Sequence, residues 1–211
     1  MKEPFSQLVT PVIQYVIDLQ RRLQRGEDPG LREVRDQLLG LLDEAEQRAT
    51  AASDLAADYD LAKHALVYWI DEVLINSRWS QAADWREHIL EWDFFRERLG
   101  GEKFFDKAEE AERRAGTDPL EVFFLCVALG FQGKYAARRP ELQRWAARVF
   151  GRIAAGASPP ERFLPDDPDD ATNAPLQPLP GKTVLLAVSV LTSVTVLVTL
   201  ACFLLSVHLM P

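Results

Sequence analysis

The stretch Val67–Trp79, VYWIDEVLINSRW, places two adjacent carboxylates, Asp71 and Glu72, inside an apolar run. Such a pair can work as an acid–base dyad, ligate a metal, hold an internal partner or present charge to another protein. Neighbouring residues on a helix point about 100° apart, so these two cannot converge on one bound atom. A dimetal bundle needs paired Glu-x-x-His motifs facing inward. The chain has none, and Glu87 and His88 are adjacent rather than three apart. His64, His88 and His208 are scattered, with no CxxC or HExxH spacing. Neither a Gly-x-Ser-x-Gly elbow nor a Cys–His pair is recognisable. Gly130–Gly133, GFQG, lacks the Gly-Lys-Ser/Thr ending of a phosphate loop. The residues therefore point to no catalysis, no metal and no cofactor.

A structural role and a docking role remain. His64 and Asp71 lie two turns apart on one helix face, and Arg78 two turns further. A partly buried carboxylate needs a charged or hydrogen-bonding partner. Arg78 or the basic segment Lys134–Arg139 is the expected partner of Asp71. An exposed docking role is the other reading.

The elements that must position this pair read as helical throughout. Phe5, Leu8, Val9, Val12, Ile13, Val16, Leu19 and Leu23 recur at helical spacing. Pro11 either kinks this helix or marks its true start, with Thr10 as cap. After the break at Gly26–Gly30, Leu31, Val34, Leu38, Leu41, Leu42 and Ala45 form a second stripe. A third helix covers roughly Asp58–Asn76. A fourth is expected from Gln81 to Leu99, with Trp85, Ile89, Trp92 and Leu99 inward, ended by Gly100-Gly101. A short amphipathic helix through Phe104, Phe105, Ala108 and Ala111 follows. Asp118, Pro119 and Glu121 read as a capping box. The helix that they open, LEVFFLCVALGF, is apolar nearly all round and is expected to be the central one. A last helix from Pro140 turns Leu142, Trp145, Val149, Phe150 and Ile153 inward.

Charge divides the chain more sharply than helix pattern does. Net charge is −8 and the pI is near 5.0, which argues against nucleic-acid binding. Every Lys, Arg, Asp and Glu lies before Thr183. Thr183–Val207 is apolar and charge-free, and as a helix would be about 37 Å long. A bilayer core is about 30 Å thick, so this stretch is read as a membrane span. The first residues carry Glu3 and Asp18 and do not form a signal peptide. Lys182 precedes the span and only His208 follows it, which sets the N-terminal part on the cytoplasmic side. The two cysteines, Cys126 and Cys202, form no disulfide framework. The expected organisation is a cytoplasmic all-α domain (1–156), a Pro/Asp-rich linker (157–182), a transmembrane helix (183–207) and a short periplasmic tail (208–211). Within the span, Thr192, Thr195, Thr199 and Ser206 share one stripe, with Val190, Val194, Leu197 and Leu204 largely opposite. Aligned hydroxyls favour pairing with another helix in lipid.

Four blocks in order carry a resemblance: ALVYWIDEVLINSRW, then Trp85 with Leu90-Glu-Trp, then LGGEKFF, then DPLEVFFLCVALGFQGKY. Together they resemble the DotU/TssL family, inner-membrane components of type VI secretion systems with relatives in type IVb systems. The family's Asp-Glu pair falls on Asp71 and Glu72, and its Leu-Gly-Phe-x-Gly-x-Tyr block on Leu129–Tyr135. The resemblance implies a hook of two small helical bundles with a groove between them. It implies a non-catalytic scaffold in the bacterial inner membrane, crossing it once. Its implied partners are a TssM (IcmF-like) inner-membrane protein, the TssJ lipoprotein of the same complex, and the baseplate proteins TssK and TssE. The span would pair with a second copy or with a TssM-like helix. Asp71, Glu72, Arg78 and Lys134 are then the expected partner-binding residues. A type IVb stabiliser of an IcmF partner and a generic tail-anchored adaptor are the alternatives.

Overall fold

The computed structural model describes residues 1–52 and 54–156. These are all-helical, with no strand among the described residues. Helix α1 runs Glu3–Gln24, α2 Leu31–Ala51 and α3 Ala56–Ile75. Two short helices follow, α4 Ala82–Glu87 and α5 Leu90–Phe95. Then come α6 Gly100–Glu112, α7 Asp118–Ala128, a 3-10 turn Gly133–Tyr135, and α8 Arg139–Gly156.

Helix α3 is the hub. It packs against α1 and α2 on one flank, against α6 and α7 on the other, and α4 and α5 also lie on it. Helix α8 packs outside, on α7. The reason is in the composition of α3. Leu61, Ala62, Ala65, Leu66, Val67, Trp69 and Ile70 are all buried, so apolar side chains leave it in every direction. A helix that is apolar all round must be enclosed. This corrects the expectation that α7 is central: its Phe124, Leu125 and Val127 are only half-buried. One continuous core joins the two flanks, with α3 belonging to both.

Local chemistry overturns several other expectations. Pro11 lies inside α1, not at its start; Pro4 occupies the first turn instead. Pro11 and Gln7 are both exposed, so the carbonyl that Pro11 cannot serve faces water. The expected Gln81–Leu99 helix is broken at His88 and Ile89 into α4 and α5, and Arg96 adopts a left-handed φ of 57°. Trp92 and Leu99 consequently turn outward, as does Phe150 of α8. Gly100 and Gly101 open α6 rather than closing the helix before them. Thr117, not Asp118, is the residue before α7, and its hydroxyl donates to Glu121 Oε1 at 2.9 Å. No described helix is long and apolar enough to cross a membrane. The expected linker, span and tail, and Thr192, Thr195, Thr199 and Ser206, lie outside the described residues.

Candidate functional site: buried carboxylates and the cleft they shape

Asp71 points from α3 towards α5 and is 4% exposed. Its Oδ1 accepts the Trp85 indole N–H at 2.9 Å and the Leu90 N–H at 3.0 Å. Its Oδ2 accepts the Glu91 N–H at 2.8 Å. Leu90 and Glu91 are the first residues of α5, and the residue before them, Ile89, has no side chain that can cap. The break at His88 and Ile89 frees backbone donors, and Asp71 satisfies them from another helix. Burial nonetheless pushes the Asp71 carboxyl up to about 6, against the pull of these donors and the more distant Arg35 charge. Arg78 plays no part, which corrects the expected Asp71–Arg78 pairing. His64 does not join Asp71 either: it stacks on Phe95 at 4.0 Å and its Nδ1 meets the Asp60 carbonyl.

Glu72 diverges from its neighbour, as helical geometry requires. It reaches the 129–135 loop, where Oε1 accepts the Gln132 N–H at 2.7 Å and Oε2 the Gly133 N–H at 2.9 Å. Burial raises its pKa, and the two backbone donors oppose that. The loop needs its glycines. Gly133 has φ +49°, and a Cβ there would lie 2.5 Å from the Gly101 carbonyl oxygen.

The same device recurs twice. Glu91, 6% exposed, accepts the Leu99 N–H and is also held by the Gly100 N–H at the start of α6. Asp118, 7% exposed, accepts the Lys2 N–H at 2.8 Å just before α1. Thus Asp71, Glu72, Glu91 and Asp118 each satisfy the opening N–H groups of another element, which for Glu91 is the next helix and for the others lies 19 or more residues away. The starts of α1, α5, α6 and the 3-10 turn have no local side-chain cap. That shortage was the available signal for Glu91, which sequence reasoning missed, and for the role of Asp118, which it read as a local cap of α7.

Glu72 also lines a cleft of the domain. The cleft, about 830 Å³, lies between the C-terminal ends of α1 and α3 and the 129–136 loop. Leu23, Val73 and Leu129 make its apolar part; Gln20, Asn76 and Gln132 give it carboxamides. Arg78 lines it too, is exposed, and has no ion pair among the described residues. Of the four residues expected to bind a partner, Glu72 and Arg78 meet at this cleft. Asp71 does not line it. Lys134 sits 5.3 Å over the Phe105 ring and 3.8 Å from Asp106. Neither carboxylate of the pair is a free docking group: both oxygens of each already accept hydrogen bonds. Among the described residues, no group of three or more His, Cys, Asp or Glu is placed to hold a metal.

The sequence matches the family described as "Type VI secretion system protein DotU" over residues 4–208. No curated relative matches it. Solved structures do. The cytoplasmic domain of TssL from Acinetobacter baumannii is 27% identical with a TM-score of 0.65, covering 72% of this chain and 98% of that one. TssL from Vibrio cholerae gives 21% identity and a TM-score of 0.61, covering 74% and 100%. SciP/TssL from enteroaggregative Escherichia coli 042 gives 18% and 0.57, covering 75% and 92%. With a family match over nearly its whole length and this shared fold, the chain belongs to the DotU family of type VI secretion system proteins.

Proposed function

We propose that this chain is a non-catalytic scaffold of the type VI secretion membrane complex. In this reading it links an IcmF-like (TssM) inner-membrane partner, assembled with the TssJ lipoprotein, to the cytoplasmic baseplate proteins TssK and TssE. The two flanks of α3 correspond to the family's two bundles, and the 830 Å³ cleft to the groove between them. Residues 183–207 cross the inner membrane once and leave the helical domain in the cytoplasm.

The observation that carries the reading is the cleft itself. Its lining sets Leu23, Val73 and Leu129 among carboxamides and bears one cation, Arg78, which has no carboxylate partner among the described residues. A surface of this kind suits a protein partner with an acidic contact residue. Asp71 and Glu72 act behind it. Asp71 fixes α5 and Glu72 fixes the 129–135 loop, so the pair sets the shape that the partner meets. The test is affinity isolation of the tagged full chain from detergent-solubilised membranes of its own bacterium, with mass spectrometry of what accompanies it. An IcmF-like protein and baseplate proteins should be enriched together. Isolation of the chain with neither would overturn the proposal.

A further inference from the structure

The cleft holds more hydrogen-bonding capacity than the domain uses. Gln20, Gln24, Asn76 and Gln132 line it. Gln20 and Gln24 stand four apart on α1 and share a face. Asn76 follows the last residue of α3, and Gln132 sits in the 129–135 loop. None of the four carboxamides makes a side-chain hydrogen bond among the described residues, whereas Gln7, Gln47 and Gln81 each donate to a side chain elsewhere. Gln132 shows the division within one residue. Glu72 holds its backbone N–H at 2.7 Å, which fixes the residue and leaves its carboxamide unused. A carboxamide offers a carbonyl acceptor and an NH2 donor, the same two kinds of group as a peptide unit. Four of them around one cleft match the backbone of a chain segment.

We propose that the occupant of the cleft is a short extended segment of a partner protein, read along its backbone by these carboxamides, with an aspartate or glutamate on Arg78. The inference rests on the reading of the cleft as a partner-binding surface. Backbone chemistry selects the conformation. A helix uses its N–H and C=O groups internally, so little of its backbone remains for the carboxamides. An extended segment presents both groups along its edges. Volume selects the length. The cleft, about 830 Å³, falls within the roughly 300–1,000 Å³ of pockets that enclose small ligands, which suits a few residues rather than a folded face. Charge selects the sequence. Arg78 is exposed and has no carboxylate partner among the described residues. The carboxylate in the lining, Glu72, has each oxygen on a backbone N–H. Leu23, Val73 and Leu129, all half-buried, give an aliphatic side chain beside that acid a place to pack. Main-chain bonds then supply affinity, and the two side chains supply specificity.

The probe is a library of short random peptides displayed on phage, selected on the full chain in detergent. Enriched peptides should carry an aliphatic residue beside Asp or Glu. A fluorophore-labelled copy of the commonest one is then titrated by anisotropy. Arg78→Glu should weaken its binding on the order of a hundredfold, because a like-charge contact replaces a favourable pair. Gln20→Leu with Gln24→Leu should weaken it about tenfold without lowering the melting temperature, since neither carboxamide is bonded in the free domain. Methylation of single backbone nitrogens in the peptide should reveal a position that weakens binding about tenfold. That loss should shrink in the Gln20→Leu, Gln24→Leu background, as it does for groups that touch. A copy stapled into a helix should bind more weakly than the linear one. Failure to enrich any peptide that distinguishes the wild-type chain from Arg78→Glu, indifference to the two leucine changes, or tighter binding of the stapled copy would overturn the proposal. Co-isolation of baseplate proteins reads the proposed function separately. Their loss in Arg78→Glu without any cleft-dependent peptide removes only the extended segment. A cleft-dependent peptide without their co-isolation removes the baseplate reading and keeps the segment.

Discussion

Asp71 and Glu72 share a sequence position in all but one step, yet they do different work. Asp71 is a buried acceptor for three N–H groups. Asp71→Ala leaves those donors unpaired and should cost about 3 kcal/mol, since each orphaned buried donor costs about 1–3 kcal/mol. Chemical denaturation measures this directly. The pH dependence gives a second reading. The Asp71 carboxyl is raised from 3.8 to about 6 in the folded chain. Between those values the folded chain binds this proton more tightly than the unfolded one. The contribution of Asp71 is then complete below about pH 4 and is lost as pH rises through about 6. Asp71→Asn cannot titrate, so the advantage of wild type over this variant should shrink from pH 4 to pH 7. An advantage that grows with pH would show that the backbone donors outweigh burial. Glu72→Ala should cost less, about 1–3 kcal/mol, because the Gln132 and Gly133 N–H groups it frees lie near solvent. Its main effect should be a faster amide exchange at these two positions.

At the scale of elements, the long helices were legible and their junctions were not. Stripes such as Phe5–Leu23 and Leu31–Ala45 mark α1 and α2 because burying an apolar stripe is a local, periodic requirement. The break between α4 and α5 has no comparable local mark. Its freed N–H groups are satisfied by Asp71, a residue on another helix, so sequence near the break carries little of the reason. Gly100-Gly101 misled for a related cause: Gly100 is small because other groups approach it. A Cβ at Gly100 would lie 2.6 Å from Tyr68 Cδ1 and 2.9 Å from Glu91 Oε2. The divergence of Asp71 from Glu72 was legible from helical geometry; their acceptance of backbone N–H groups was not. Glycines now separate into two kinds. Gly133→Ala meets the Gly101 carbonyl at a positive φ and should lower stability by about 1–3 kcal/mol. Gly40→Ala, inside α2 with nothing within 4 Å, should raise it by about 0.5–1 kcal/mol. Thermal melts of the two variants should move in opposite directions.

For the whole molecule, one continuous core joins the two flanks of α3 among the described residues. Residues 1–156 should therefore express as a soluble helical protein that unfolds in one cooperative transition. Substantial strand in the circular dichroism spectrum, or two separate transitions, would contradict this. In the proposed function, one chain bridges two partners through two separate surfaces. The most direct measurement is co-isolation from native membranes with two variants of the full chain. Arg78→Glu reverses the charge of the cleft; Thr192→Val with Thr195→Val and Thr199→Val removes the proposed hydroxyl stripe. Arg78→Glu should lose the baseplate proteins and keep the IcmF-like partner, while the threonine variant should stay in the membrane, keep the baseplate proteins and lose the IcmF-like partner. Retention of the baseplate proteins by Arg78→Glu, or loss of both partners together in either variant, would contradict this bridging role.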